Sequence, residues 1–326
     1  MSRRRTRPVS AAGRLGAVLV VGALLTGLTG CGESIEPATP GDRGVAAAEL
    51  AKIEAYSDVS IERYQYPTTT GDRDDRQNWA DVYLPPGEHE PDSVPLVVLV
   101  HGGGWESTLG ADVFTALARR LAERGLAVYN LEYRRVGAGG GWPTTFKDVA
   151  AAMDYVPHVQ AAVPMISLDD AVVVGHSAGG QLAMWSGTRH NLEDDEIGAK
   201  PEFRPVYAIS LAGTLDLRRA VRNGNPRVPK VMGGTPDQVP GHYASVSPIE
   251  NIDPDMPIIA MTGTDDTVVP PAMAETYVQA VHRAGGTGAL VKFPGVGHSG
   301  IVDSSAPTFP QIIETISRAA YRAHRD

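Results

Sequence analysis

The sequence has a single cysteine, Cys31, among 326 residues. A lone thiol can form no internal disulfide and no cysteine-based metal cluster. Long hydrophobic runs are also missing. The longest, Leu15–Leu28, has 14 residues, too short to cross a hydrocarbon core of about 30 Å comfortably. Positive charge is scarce, with 29 basic against 38 acidic residues and a formal charge of −9. Five of the basics (Arg3, Arg4, Arg5, Arg7 and Arg14) fall in the first 30 residues, which hold no acid, so the remainder carries 24 − 38 = −14. Such a surface repels phosphate backbones, and nucleic acid is excluded as a partner. No H-x-x-x-H or clustered Cys/His pattern occurs, so neither a metal nor a cofactor is expected. No fixed-period repeat is present. What remains, 42% hydrophobic and 21% charged residues, suits a globular protein with a sizeable core and excludes collagen-like, coiled-coil and wholly disordered chains.

The N-terminus has three parts: the basic Arg3-Arg4-Arg5, the apolar stretch, and small residues leading to Cys31. That layout is expected to be a secretory signal over residues 1–30. Leu28-Thr29-Gly30-Cys31 also resembles the lipobox of bacterial lipoproteins, whose cysteine is diacylated, so Cys31 is the expected lipidation site. The resemblance implies a chain anchored by lipid to the outer face of a bacterial membrane, because two acyl chains hold stably at about 0.8 kcal/mol per buried CH₂. Residues 31–49, Pro/Gly-rich and aperiodic, read as a tether.

From residue 50 to 326 one domain is expected. Short β-like runs occur at Val59–Tyr66, Trp79–Leu84, Leu96–Val100, Ala127–Tyr133, Ala171–Val174, Val206–Leu211, Ile258–Met261 and Ala289–Phe293. The middle ones are unbroken apolar runs, as in strands buried on both faces of a parallel sheet. Between them, Val113/Leu117/Leu121, Val149/Met153, Met273/Tyr277/Val281 and Ile312/Ile313/Ile316 carry helical spacing. Alternating strands and helices predict an α/β fold: one mostly parallel eight-stranded sheet with helices on both faces. The span 214–256 has little periodicity and is expected to be a small cap or a long excursion.

Gly175-His176-Ser177-Ala178-Gly179-Gly180 follows the strand Ala171–Val174 and precedes a helical stretch. A G-x-S-x-G in strand–turn–helix context is a nucleophile elbow: glycines leave room for a tight turn that lifts the serine out. The helix N-terminus then faces any negative charge developing there. His101-Gly102-Gly103-Gly104-Trp105 follows the third strand, where backbone N–H groups can hold an oxyanion. The expected donors are Ala178 and one glycine, Gly103 first, with Gly102 and Gly104 close behind. His101 is expected to brace that loop. A serine hydroxyl needs a base, itself oriented by an acid. Of nine histidines, only His298 lies on a late glycine-rich loop; His176 flanks the serine with its ring expected to point away. Asp266 is preferred as the acid over its neighbour Asp265, because adjacent residues at a strand end face opposite ways. Asp216 is a distant third, more suited to capping a helix. Trp105, Trp142, Trp185 and His176 are candidate pocket residues.

These residues are similar to the α/β-hydrolase superfamily, in particular small esterases and kynurenine-formamidase-like hydrolases with His-Gly-Gly-x-Trp. The resemblance runs from about Trp79 to the C-terminus and includes Glu132-Tyr133-Arg134-Arg135, Gly139 to Pro143, Asp266 to Pro270 and Gly297-His298. The order Ser177, Asp266, His298 is that of the superfamily. It implies Ser177 as nucleophile, His298 as base and Asp266 as its partner, in a serine hydrolase cleaving a small-molecule carboxylic ester. An amidase, peptidase or arylformamidase-like activity on the same fold is the alternative, and a non-enzymatic surface-binding lipoprotein is the reading from another class.

Overall fold

The computed structural model describes residues 58–323. The expected signal (1–30), the Cys31 lipidation site, the tether (31–49) and the first residues of the expected domain lie outside the described residues. In chain order the elements are β1 (Ser60–Gln65), β2 (Trp79–Leu84), β3 (Val94–Val100), α1 (Thr115–Ala122), β4 (Ala127–Leu131), α2 (Thr144–Asp154), α3 (Val156–Ala162), β5 (Ile166–His176) and α4 (Ala178–Thr188). Next come β6 (Tyr207–Leu211), α5 (Leu217–Arg222), α6 (Arg227–Met232), α7 (Pro240–Val246), β7 (Ile258–Gly263), α8 (Ala272–Arg283), β8 (Gly288–Phe293) and α9 (Phe309–Ala323).

All eight expected strands form one sheet, in the order β1-β2-β4-β3-β5-β6-β7-β8. β1 with β2 and β2 with β4 are antiparallel, and every other pairing is parallel. Strand β5 starts five residues earlier than its apolar run. Ile166 and Ser167 pair with Val94 and Pro95, and the register then shifts before Val97 meets Val172. The polar Ser167, Asp169 and Asp170 hid this extension, since ladder bonds are made by backbone whatever the side chains are.

Alternate residues of β3 feed two separate cores. Leu96, Val98 and Val100 face a layer that includes Met153, Leu182 and Tyr277, while Val97 and Leu99 face Leu117, Leu121, Ile312 and Ile316. Helices on both faces therefore explain the unbroken apolar strands. Each fully buried aliphatic side chain contributes about 1.5–3 kcal/mol. The span 214–256 folds into three helices of six or seven residues. Fewer than two turns each is too short for a periodicity to show. Val228, Val231, Met232 and Tyr243 are buried in the larger core, so the excursion is seated on the domain.

Two buried polar networks stitch the loops beside the sheet. Arg134 and Asp148 form a two-pronged pair, Nε to Oδ2 and Nη2 to Oδ1, both at 2.7 Å. Arg134 Nη2 also reaches Thr68 Oγ1 and the Thr70 carbonyl, tying the 68–70 loop to α2. Glu132 takes the second network: it accepts from the N–H groups of Ala111 and Tyr133 and faces His101 and Arg135. Burial alone would raise its carboxyl, but His101, Arg135 and the Ala111 N–H outweigh burial and hold it below the usual glutamate range. Removing one partner from a buried pair strands the other's charge. Asp148→Ala is therefore expected to lower stability by about 3–5 kcal/mol, read as a shift of the urea midpoint.

Candidate active site

Every group singled out from the sequence for chemistry lies beyond the carboxyl end of a parallel strand, where open α/β sheets place their ligands. Ser177 follows β5 directly and starts α4. Its backbone is left-handed, with φ +56° and ψ −117°, a conformation that costs of order 1–3 kcal/mol in a non-glycine residue. Surrounding contacts hold it there. Its N–H donates to the Leu211 carbonyl at 2.9 Å, and its own carbonyl accepts from Thr214 at 3.2 Å. The flanking glycines are steric necessities: a Cβ at Gly175 would run into the Gly179 carbonyl, and one at Gly179 into the carbonyls of Val100 and His101.

The structure brings the three expected side chains together. His298 Nε2 lies 2.9 Å from Ser177 Oγ, and His298 Nδ1 lies 2.8 Å from Asp266 Oδ2. The other carboxylate oxygen, Oδ1, accepts from the N–H groups of Val268 and Val269 at 2.9 and 2.8 Å. Asp266 is thus fixed on both sides. Burial alone would raise its carboxyl, but the His298 ring and the Val269 and Val268 N–H groups outweigh it and hold it below the usual aspartate range. An ionised acceptor at Oδ2 requires Nδ1 to be the protonated nitrogen, which leaves Nε2 free to accept from the serine. Asp265 is exposed and is reached by the Thr264 hydroxyl. Asp216 accepts from the Arg219 N–H and caps α5.

The glycine run packs against the serine through Gly102, where a Cβ would sit 3.2 Å from Ser177 Cβ and 2.9 Å from His176 Nδ1. Gly103 and Gly104 have φ of +110° and +65°, which glycine alone adopts without strain. His101 is fully buried as expected of a brace: Nδ1 faces the Gly102 carbonyl at 2.8 Å, Nε2 faces Glu132 Oε1 at 2.9 Å, and the ring stacks on Tyr133.

Two expectations need correction. His176 does not point away: its ring lies 4.8 Å from the His298 ring, and Nε2 donates to the His298 carbonyl at 3.2 Å. Burial first, and His298 second, push the His176 imidazole down to about 4, so at neutral pH it is an uncharged neighbour of His298. The exposure of His176, 8%, equals that of Ser177. Trp105 and Trp185 are sealed in the core, at 1% and 0% exposure. Their indole N–H groups donate inside the core, to Gln181 Oε1 and the Ser245 carbonyl, each at 3.1 Å. A buried indole must find such a partner, which is why tryptophans near the motif became packing. Trp142 is half-buried and stacks on His242.

Sequence reasoning missed one further contact. Glu106, next after the glycine motif, binds Arg227 Nε at 2.9 Å and Lys230 Nζ at 3.2 Å, linking that loop to α6. Opposite charges 121 and 124 residues apart give no local signal.

Comparison with known proteins agrees with this frame. The BD-FAE family matches residues 80–281, more than half of the chain. A rice (Oryza sativa subsp. japonica) protein described as a probable isoprenylcysteine alpha-carbonyl methylesterase is 25% identical over 247 residues, 70% of this chain and 56% of its own length. Esterase LipC of Mycobacterium tuberculosis is 25% identical over 229 residues, 66% of this chain and 55% of its own. The chain thus spans about half the length of the curated relatives it matches. A truncated carbohydrate esterase from gut microbiota superposes with TM-score 0.66 at 20% identity, covering 83% of this chain and 99% of that one. Butyrate-bound esterase 2 of Thermogutta terrifontis gives 0.66 at 22%, covering 80% and 94%. These likenesses show the fold, which is that of the α/β hydrolases. With a match reaching from β2 into α8, the chain belongs to the BD-FAE family.

Proposed function

We propose that the protein is a serine hydrolase that cleaves carboxylic esters through an acyl-serine intermediate. The observation that carries this reading is the unbroken chain of short contacts from Ser177 Oγ through both nitrogens of His298 to Asp266. In the first half-reaction Oγ attacks the ester carbonyl carbon while Nε2 takes its proton. The oxyanion that forms is held by the Ala178 N–H and one from the glycine run, Gly103 by preference. The intermediate collapses, the C–O bond to the alcohol breaks, and the alcohol leaves with the proton from Nε2. Water then repeats the sequence on the acyl-serine, and the acid departs. Asp266 stays ionised throughout and supports the imidazolium. His176, neutral beside it, adds no competing charge. The alternative amide and formamide chemistries would use the same groups; the esterase names of the relatives favour esters. The same reading keeps the protein tethered to the outer face of a bacterial membrane by lipid on Cys31.

Ser177→Ala is expected to lower kcat on p-nitrophenyl acetate by about 10⁴-fold or more while leaving the circular dichroism spectrum intact. Full activity in that variant would refute the mechanism. Asp266→Asn removes the acceptor that selects the Nδ1–H tautomer, and kcat is expected to fall by about 10²–10⁴-fold. It also changes the acid limb of stability. Because folding lowers the Asp266 pKa, its contribution is complete above the unfolded value of about 3.9 and is lost as pH falls through the lower folded value. The stability difference between wild type and Asp266→Asn in urea should therefore shrink as pH falls below about 4. Cys31→Ala should move the protein from the membrane pellet to the soluble fraction, and an unchanged distribution would remove the anchor.

A further inference from the structure

A cavity of about 230 Å³ lies between the start of the 214–256 excursion and the 267–273 segment. Its wall adjoins each part of the site. Thr214 donates its N–H to the Ser177 carbonyl. Thr267, Val268 and Val269 follow Asp266 directly. Arg227 lies against Gly104, so closely that a Cβ there would strike its Cδ and come within 2.9 Å of its Nε. The third glycine of the motif therefore makes room for a guanidinium beside the oxyanion loop.

The first part of the excursion, which supplies Arg227 to this wall, differs in charge from the chain as a whole. Residues 214–232 hold five cations (Arg218, Arg219, Arg222, Arg227 and Lys230) and one acid, Asp216, in a protein of net charge −9. Arg218 is neutralised by Glu250 and Arg222 lies 3.9 Å from Asp216. The Arg219 guanidinium donates to the Ala272 carbonyl and the Thr276 hydroxyl. Arg227 and Lys230 share the single carboxylate of Glu106, and Arg227 uses Nε for it, which leaves its two terminal amino groups for a ligand. Asp253, later in the excursion, is engaged by Arg204 and His190. Of the five cations along 214–232, Arg227 is the one that lines the cavity.

We infer that this cavity is a subsite for a carboxylate carried by the ester substrate on a part that is not cleaved, with Arg227 as its specificity-determining contact. The inference rests on the ester-hydrolase reading and narrows it to anionic esters. A planar guanidinium with two free N–H₂ groups suits a carboxylate better than a neutral hydroxyl. The glycine and Glu106 fix its position, so little side-chain freedom is lost on binding.

The test uses two matched pairs on the full chain: 3-acetoxybenzoate against 3-acetoxybenzamide for a charge on the alcohol side, and p-nitrophenyl hydrogen adipate against p-nitrophenyl hexanoate for the acyl side. In at least one pair the wild type should prefer the anion in kcat/KM. Arg227→Gln should lower that preference roughly fivefold or more, chiefly through KM, Arg227→Lys should retain part of it, and 0.5 M salt should erode it. Turnover of the neutral esters with no anion preference, or a preference unchanged in Arg227→Gln, overturns the subsite and leaves the hydrolase standing. Absence of turnover on all four esters overturns the hydrolase reading itself, and the subsite falls with it.

Discussion

Everything in the site depends on one residue being held in a backbone conformation that it would not choose. Ser177 has a left-handed φ where strand β5 passes into helix α4 through this one residue. Both elements are fixed from all sides: the last seven residues of β5 are buried, and all eleven residues of α4 are buried. Neither can relax to ease the turn. The glycines at 175 and 179 allow the two elements to approach until carbonyls stand where side chains would be. Strain of a few kcal/mol is tolerable when the surrounding packing contributes far more.

Onto that fixed point the loops after β7 and β8 bring the other two members. The electrostatics are arranged by backbone as much as by side chains. Two N–H groups occupy one oxygen of Asp266, so only the other is left for His298, and the imidazole has a single tautomer compatible with it. His176 supports the base from behind, through the His298 carbonyl and a tilted ring contact. Its burial matters because a charged ring at that distance would repel a protonated His298.

Much of this was legible in the sequence, and the reasons are specific. The two-faced burial of the sheet wrote itself into Leu96–Val100 and Ala171–Val174 as unbroken apolar runs. The elbow was legible because its glycines answer a steric demand that no other residue meets. Asp266 was preferred over Asp265 on strand alternation, but β7 ends at Gly263 and the turn that follows is what buries Asp266 and exposes Asp265. The polar start of β5 was hidden because ladder pairing is blind to side-chain type. The direction of the His176 ring depends on a carbonyl 122 residues away. Trp105 and Trp185 could only be named as pocket candidates, because sequence cannot tell an indole that satisfies its N–H inside the core from one that meets a ligand. The helices of the excursion were too short to print a period, although their buried residues anchor them firmly.

The bridge from Glu106 to α6 separates two jobs that a smaller protein would have to combine. Ser177, Asp266 and His298 stand just after strands of the sheet, whereas the excursion that walls the neighbouring cavity meets the glycine loop through one carboxylate and one glycine-sized gap. Apart from the buried Leu217, Ala220, Val228, Val231 and Met232, residues along 217–232 can consequently diverge by descent, one side chain at a time, without disturbing Ser177, Asp266 and His298.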